Sequence, residues 1–230
     1  MLFPFWDPTF ILLIPTIVLA LYAQYKVRNT YARFSQVRSA AGISGAETAR
    51  RLLQANGIHD VSVEEVAGQL SDHYDPKSKV VRLSTANFRG NSLAGLAVAA
   101  HEVGHAMQHA GGYVPLNFRH AILPVANIGS MAAFPLFFIG FLFQSPQLID
   151  VGILLYGGVV LFQVVTLPVE FNASSRAMVQ LVDGRMLAVD EARQARKVLN
   201  AAALTYVAGT ATALMHLVRL LILRGGMRDD

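Results

Sequence analysis

Long uncharged apolar runs constrain this chain more than any other feature of its sequence. Residues 122–143 contain no charged side chain, and residues 148–167 are interrupted only by Asp150 near their start. About 20 apolar residues in a helix cross the hydrocarbon core of a bilayer, so both runs are predicted to span a membrane. Residues 10–25 form another uncharged run, the first along the chain, and predict a further span.

The composition agrees with a membrane protein and excludes several other classes. Hydrophobic residues make up 53% of the chain, charged residues make up 15%, and the mean hydropathy is +0.42. An average soluble domain carries roughly 25% charged residues, so a disordered chain and a highly charged coiled coil are excluded. The chain has no cysteine, which excludes disulfide frameworks and thiolate zinc sites. Any metal would therefore be held by His, Asp or Glu.

The basic residues give the predicted spans a direction. The net charge is +4, and the Lys and Arg residues flank apolar runs instead of forming a patch for nucleic acid. Lys26, Arg28, Arg33 and Arg38 follow the first run closely. By the positive-inside rule, the N-terminus is expected outside the cell and the segment after the first span inside. We therefore expect a multi-pass plasma-membrane protein that contacts lipid and no nucleic acid.

A fourth apolar run, residues 201–223, has two interpretations. It continues a helix that Asp190 and Glu191 are expected to open. If this helix spans the membrane, Arg219 and Arg224 lie outside, against the charge rule. The helix is therefore either a fourth span or a helix that packs on the others.

Two helices are predicted in the soluble-type sequence after the first span. Ser44 and Glu47 form a capping box that opens an amphipathic helix, and Gly57 ends it. Ser92 is the expected N-cap of a second helix, which runs to Gly111 and is apolar nearly all round for its first half. This second helix is expected to be buried.

Three short strands are predicted between these helices. Residues 61–66, 70–74 and 80–83 have strand-like patterns, and residues 75–78 (Asp-Pro-Lys-Ser) form a turn before the last strand. Together the strands suggest a small antiparallel sheet. Either the second or the third strand could be an edge strand that binds an extended peptide.

The second helix contains the sequence His101-Glu102-Val103-Gly104-His105, which is the pattern HExxH. Residues four apart lie on one helix face, so both imidazoles can bind one metal ion while Glu102 reaches a water bound there. This arrangement suits zinc, which at catalytic sites has three protein ligands and a water. Glu102 is the expected general base. Histidines that only make core hydrogen bonds are the other interpretation, which is costly in so apolar a context.

The third ligand must come from another part of the chain. His109 lies ~12 Å along the helix from His101, at about 1.5 Å per residue, so one ion cannot bind both. Glu170 follows the third predicted span, and the hairpin of the second and third spans returns the chain to the membrane face that it left. Glu170 is therefore the predicted ligand, although it could merely mark the membrane boundary. Asp183 and Glu191 are the next downstream candidates.

Several segments together resemble the YugP-like family of membrane zinc metallopeptidases, over most of the chain. These segments are residues 70–76, residues 81–84, AVAAHEVGHAMQH around the motif and PVEFNASSRA around Glu170. HExxH followed after two spans by Glu-x-x-Ala is more distantly similar to HtpX-like and CAAX-prenyl-protease peptidases. The resemblance implies a gluzincin-type site in which His101, His105 and Glu170 hold one zinc ion and Glu102 is the base.

Further site residues are proposed around these ligands. In the more distant group an Asp commonly stands four residues after the ligand Glu, and here Ser174 occupies that position, where it could accept an imidazole N–H. Arg176, His73 and Tyr74 are candidates for stabilising the oxyanion of the reaction. Their structural interpretations are lipid binding for Arg176 and a fixed turn for the other two.

Together these features predict a mainly α integral membrane protein with three or four transmembrane helices and a small cytoplasmic α+β metallopeptidase part. The predicted function is a zinc-dependent endopeptidase that cuts membrane or membrane-adjacent polypeptides at the cytoplasmic face. The alternative is a non-catalytic membrane protein whose structural metal site serves a binding scaffold. Residues 1–230 are predicted to form a single domain. Its spans are expected at about 10–25, 122–143 and 148–167, and also at 201–223 if the last helix crosses the membrane. The soluble catalytic part is expected at about 26–120 and 168–200.

Overall fold

The computed structural model describes residues 8–226, apart from residue 70. Helices make up most of it. The elements in chain order are a 3-10 helix (Pro8–Leu13), α1 (Ile14–Phe34), α2 (Gly45–Ala55), β1 (Ser62–Val66), β2 (His73–Asp75), β3 (Val80–Ser84), α3 (Thr85–Arg89), α4 (Leu93–Ala110), α5 (Val114–Leu142), α6 (Pro146–Asp183) and α7 (Val189–Gly226).

Four helical segments among the described residues are long and apolar enough to cross a membrane. They are Pro8–Phe34, Val114–Leu142, Pro146–Asp183 and Val189–Gly226. The four apolar runs of the sequence each fall on one of these segments, and the last run belongs to a helix of the same kind as the others. The apolar part of the third run and Glu170 lie on one continuous helix, α6.

The described chain divides into two compact units. The helical unit contains the described residues up to Ala23, Phe118–Leu167 and the described residues from Thr205. The α/β unit contains Gln24–Asn117 and Pro168–Leu204. Helices α1, α5, α6 and α7 contribute residues to both units.

Within the helical unit, the basic residues near the end of α7 have partners. Arg224 forms an ion pair with Asp150 at 2.7 Å. Arg219 donates from Nε to the hydroxyl of Thr9 at 3.1 Å, and its guanidinium lies 3.9 Å from the ring centroid of Phe10. Both arginines near the end of this apolar helix therefore contact polar or aromatic partners within the unit.

The α/β unit holds the larger hydrophobic core, and α4 lies inside it. The side chains of Leu93, Leu96 and Val103 on this helix have no exposed surface. Ser92 caps α4 by accepting a hydrogen bond from the Gly95 N–H at 3.1 Å, as predicted. The expectation of a buried helix is therefore confirmed.

The second predicted cap is also present. The hydroxyl of Ser44 accepts a hydrogen bond from the Glu47 N–H at 3.2 Å. Gly57 follows the end of α2 with a φ of +69°, a left-handed conformation that favours glycine.

The sheet differs from the prediction of an antiparallel sheet. Its strand order is β1-β3-β2, and β1 pairs with β3 in parallel, whereas β2 pairs with β3 in antiparallel orientation. Residues 75–78 turn tightly between β2 and β3, so these strands must be antiparallel, but no such turn links β1 to β3. Because β3 is the central strand, residues 80–83 are not an edge strand, which corrects that alternative.

The second strand is also shorter than predicted. It covers His73–Asp75 instead of residues 70–74, of which residue 70 lies outside the described residues. The carboxylate of Asp72 accepts hydrogen bonds from the backbone N–H of Ser84 at 2.8 Å and from the side-chain amide of Asn87 at 3.0 Å. Asp72 therefore links the end of β3 to α3.

Candidate metal centre

His101, His105 and Glu170 come together in the α/β unit as a group that could hold a metal ion. One ligand atom from each residue lies within 4.8 Å of the others. The Oε2 atom of Glu170 lies 3.2 Å from Nε2 of His101 and 3.5 Å from Nε2 of His105. The Glu170 side chain is only 4% exposed, and the two imidazoles are 15% and 12% exposed.

The close approach of α4 and α6 brings these side chains together. His101 and His105 lie one turn apart on α4, and their ring centroids are 4.7 Å apart. Gly104 lies against the backbone of Ala173 on α6, where an added Cβ would be only 2.6 Å from the Ala173 carbonyl oxygen. Glycine at this position therefore lets the backbone of α6 pass close to the motif and present Glu170 to both imidazoles.

A chain of hydrogen bonds fixes the orientation of the His105 ring. Arg176 Nε donates to Asn172 Oδ1 at 2.8 Å, and Gln108 Nε2 donates to the same oxygen at 3.0 Å and to the Val169 carbonyl at 2.8 Å. Because the Val169 carbonyl can only accept a hydrogen bond, the group of Gln108 that contacts it must be the NH2 group. The amide oxygen of Gln108 therefore faces His105, whose Nδ1 lies 3.0 Å away. Nδ1 of His105 is then the donor, which leaves Nε2 with a lone pair when the imidazole is neutral.

The second imidazole has a similar arrangement. Nδ1 of His101 lies 3.1 Å from the hydroxyl of Ser174, in agreement with the partner expected from the sequence. In both rings a hydrogen-bonding partner occupies Nδ1, while Nε2 faces Glu170. Two imidazole nitrogens and one carboxylate oxygen form a donor set that fits zinc, and partners at the other ring nitrogen are typical of histidine ligands.

The electrostatics of the group also favour a cation. Burial would lower the pKa of His105, but the hydrogen bond with Glu170 and the charges of Glu102 and Glu170 raise it above its ordinary value. Glu102 is buried, with 8% of its surface exposed, and in the described part of the chain its side chain makes no hydrogen bond or ion pair. The centre thus combines two carboxylates with two imidazoles in a buried place.

The oxyanion candidates from the sequence have different positions. His73 and Tyr74 are neighbours on β2, so their side chains leave opposite faces of the strand. The hydroxyl of Tyr74 lies 2.7 Å from Nδ1 of His109 on α4, whereas His73 is exposed and its Nδ1 lies 2.8 Å from the Ser71 carbonyl oxygen. Burial, followed by the charges of two Asp residues, raises the pKa of Tyr74, so its hydroxyl stays protonated.

The third oxyanion candidate and the reserve ligands lie in other surroundings. Arg176 donates to Asn172, and its guanidinium lies 5.9 Å from the ring centroid of Tyr113. Glu191 accepts hydrogen bonds from the backbone N–H groups of Ala40 and Ala188. Asp183 is exposed. Neither carboxylate belongs to the metal-binding group.

Three further residues shape the site without having been predicted from the sequence: Gln108, Asn172 and Gly104. A signal for Gln108 was present, because a buried amide three residues after a ligand histidine shares its helix face. The contact of Gly104 had no signal in the sequence, since its partner Ala173 lies on another helix.

The fold and the site define a membrane protein with a candidate centre for a metal ion. The family described as "Putative neutral zinc metallopeptidase" matches residues 9–225. The chain is 47% identical over 219 residues to "Putative membrane protease YugP" of Bacillus subtilis, which covers 95% of this chain and 97% of that protein. The chain therefore belongs to this zinc metallopeptidase family, which confirms the family predicted from the sequence. No solved structure matches the chain.

Proposed function

We propose that this protein is a zinc-dependent endopeptidase that cuts membrane or membrane-adjacent polypeptides. The observation that carries the proposal is the convergence of His101, His105 and Glu170 within 4.8 Å, beside the buried carboxylate of Glu102. Family membership supports peptidase chemistry and zinc. The four apolar helices support substrates in or near the bilayer.

The residues divide the chemistry among them. A zinc ion bound there would polarise the scissile carbonyl and lower the pKa of a water molecule toward ~7. Glu102 takes the proton from the attacking water and passes it to the leaving amine nitrogen. Ser174 and Gln108 hold the two imidazoles so that Nε2 of each ring faces Glu170, which is where the three residues would hold the ion.

Tyr74 is the best supported of the residues proposed to stabilise the oxyanion. Its hydroxyl contacts His109, which lies one turn after His105 on α4, and it stays protonated as a donor. Arg176 donates to Asn172, which also accepts from Gln108, the partner of His105. We therefore propose that Arg176 helps to position His105 in addition to stabilising the oxyanion. His73 leaves the other face of β2 and has the weakest support.

A structural metal site in a binding scaffold is the competing function. A closed structural zinc site takes four protein ligands, whereas among the described residues the group contains three. A scaffold also has no use for a carboxylate placed directly after the first ligand histidine.

The experiment that separates the two functions is Glu102→Gln. We expect cleavage of an unstructured protein such as casein, in detergent, to fall by about 10²–10⁴-fold, because the general base is lost. The zinc content of the purified protein should stay near that of the wild type. Glu64→Gln, a matched change at an exposed residue of β1, should leave both values unchanged. If the Glu102 variant cleaves casein as fast as the wild type, Glu102 is not the general base. If the wild-type protein also fails to cleave casein, the scaffold function is favoured.

We further propose that the protein lies in the plasma membrane with its N-terminus outside and the metal centre on the cytoplasmic side. The basic residues after the first apolar run support this orientation. Because the chain has no cysteine, single cysteines can test it. In intact cells, Gln147→Cys should react with a membrane-impermeant thiol reagent and Lys77→Cys should not. The opposite pattern would invert the topology. A single functional domain over residues 1–230 and the distant HtpX-like and CAAX-prenyl-protease relationship stay predictions.

A further inference from the structure

A polar cavity of about 360 Å³ lies in the α/β unit between α1 and α7. No residue of the candidate metal centre lines it. Its polar lining consists of Lys26, Asn29, Thr30 and Arg33 from α1 and of Lys197 and Asn200 from α7. The volume is at the lower end of the range of roughly 300–1,000 Å³ that is usual for small-molecule sites.

The lining of this cavity is complementary to an anion. It contains three cationic side chains, Lys26, Arg33 and Lys197, and no carboxylate. Two amides and a hydroxyl add hydrogen-bond donors beside these charges. Arginine and lysine together bind phosphate oxygens well, because the guanidinium donates in a fork and the ammonium acts as a point charge.

The position of the cavity along both helices matches the level of lipid headgroups. On α1, Lys26 is the first charged residue after the uncharged residues 10–25. On α7, Lys197 is the last charged residue before the apolar run that starts at residue 201. At about 1.5 Å per residue, each of these lysines lies within ~6 Å of its apolar segment. The headgroup layer on each side of a bilayer is roughly 5–8 Å thick, so both lysines lie within it, and the cavity extends from there towards Arg33, which lies ~12 Å beyond residue 25 on the aqueous side.

We propose that this cavity binds the phosphate of an anionic phospholipid headgroup, which then links α1 to α7. Basic recesses between helices at the membrane boundary are suited to such headgroups. A free phosphate ion has the same chemistry, but the position at the end of two apolar helical segments favours the lipid. The site is independent of the proposed peptidase function.

The test compares two double variants that each remove one cation from α1 and one from α7. Arg33→Gln with Lys197→Gln changes the lining of the cavity, whereas Arg28→Gln with Arg196→Gln removes charges that do not line it. All four of these side chains are exposed. Binding of phosphatidylglycerol to the detergent-solubilised protein is measured by native mass spectrometry, with phosphatidylcholine and inorganic phosphate as the other probes. We expect the cavity variant to bind phosphatidylglycerol at least about tenfold more weakly and the control variant to stay within about twofold of the wild type.

Three outcomes would overturn the proposal. Equal losses in both double variants would mean that net charge, not the cavity, attracts the lipid. Equal binding of phosphatidylcholine would remove the preference for an anion. Inorganic phosphate that binds as tightly as the lipid and displaces it would make this a site for free phosphate. If the cavity variant does not fold, Lys197→Gln is compared with Arg196→Gln in the same assay.

Discussion

The two units of the chain contain different examples of how a buried polar group is satisfied. In the helical unit, Thr16 and Thr166 donate to carbonyl oxygens three and four residues earlier in the chain, at 2.9 and 2.8 Å. In the α/β unit, Gln108 has no exposed surface and donates to Val169 and Asn172 on another helix. The first pattern satisfies a helix by itself, whereas the second pattern requires a particular tertiary arrangement.

The apolar residues show the same contrast. Leu93 and Leu96 in the α/β unit have no exposed surface, whereas Met131 and Leu154 in the helical unit are 78% and 75% exposed. Helices in lipid must satisfy their polar groups internally and can leave large apolar side chains outside. The helical unit therefore tolerates variation of side chains on its surface, whereas the α/β unit depends on defined contacts that also build the metal centre.

The largest effect expected in the α/β unit comes from Glu170→Ala. This change removes one of the three proposed ligand groups, so both zinc content and casein cleavage should fall to near zero. Zinc is measured by elemental analysis of the purified protein. Asp183→Ala, on the same helix and outside the group, should keep both. If the Glu170 variant retains zinc while the Asp183 variant loses it, the ligand assignment is wrong.

Gly104→Ala tests the close packing of α4 on α6. The new methyl group would meet the Ala173 backbone, and we expect the free energy of unfolding to fall by about 1–3 kcal/mol. Gly157→Ala is the matched change in the helical unit, where an added Cβ has no atom within 4 Å. It should raise the free energy of unfolding by about 0.5–1 kcal/mol, because alanine suits a helix better. Denaturant unfolding in detergent measures both, and equal effects would refute the contrast between these positions.

Gln108→Leu tests the hydrogen-bond chain that ends at His105. Losing the acceptor for Nδ1 should weaken zinc binding by about 10–100-fold, as measured by competition with a chelator. Thr166→Val removes a buried hydroxyl that bonds only within its own helix, so zinc affinity should not change. Gln108→Glu keeps an acceptor for His105 and should recover part of the affinity. Unchanged zinc binding in the leucine variant would show that Gln108 does not position the imidazole.

The smallest effect is expected from Arg224→Gln. The side chain of Arg224 is 13% exposed and that of its partner Asp150 is 56% exposed, and ion pairs that reach solvent contribute only about 0.2–1 kcal/mol. Unfolding should shift by no more than this, with zinc content and cleavage unchanged. Asp150→Asn should have the same effect, and the double variant should be no less stable to unfolding than either single variant. A loss of zinc in either variant would mean that the helical unit controls the metal centre.

Local signals in the sequence predicted most of the elements but few of their partners. The caps at Ser44 and Ser92 are confirmed, because capping depends on residues three positions apart. The prediction of an antiparallel sheet was wrong, because the residue pattern of a strand shows which of its faces is buried and does not show which strand pairs with it or in which direction. The partner of His101 was expected at Ser174, whereas Gln108 was missed because its importance depends on contacts with Val169 and Asn172.

The sequence by itself determined four apolar helical runs and two histidines on one helix face with a carboxylate between them. Helical periodicity and hydropathy are local properties, so nearby residues suffice to predict them. Only the tertiary structure decided that Glu170 meets both imidazoles, that α6 passes against Gly104 and that Gln108 orients His105. These features depend on atoms that are distant in the chain and close in space, and packing alone sets such distances.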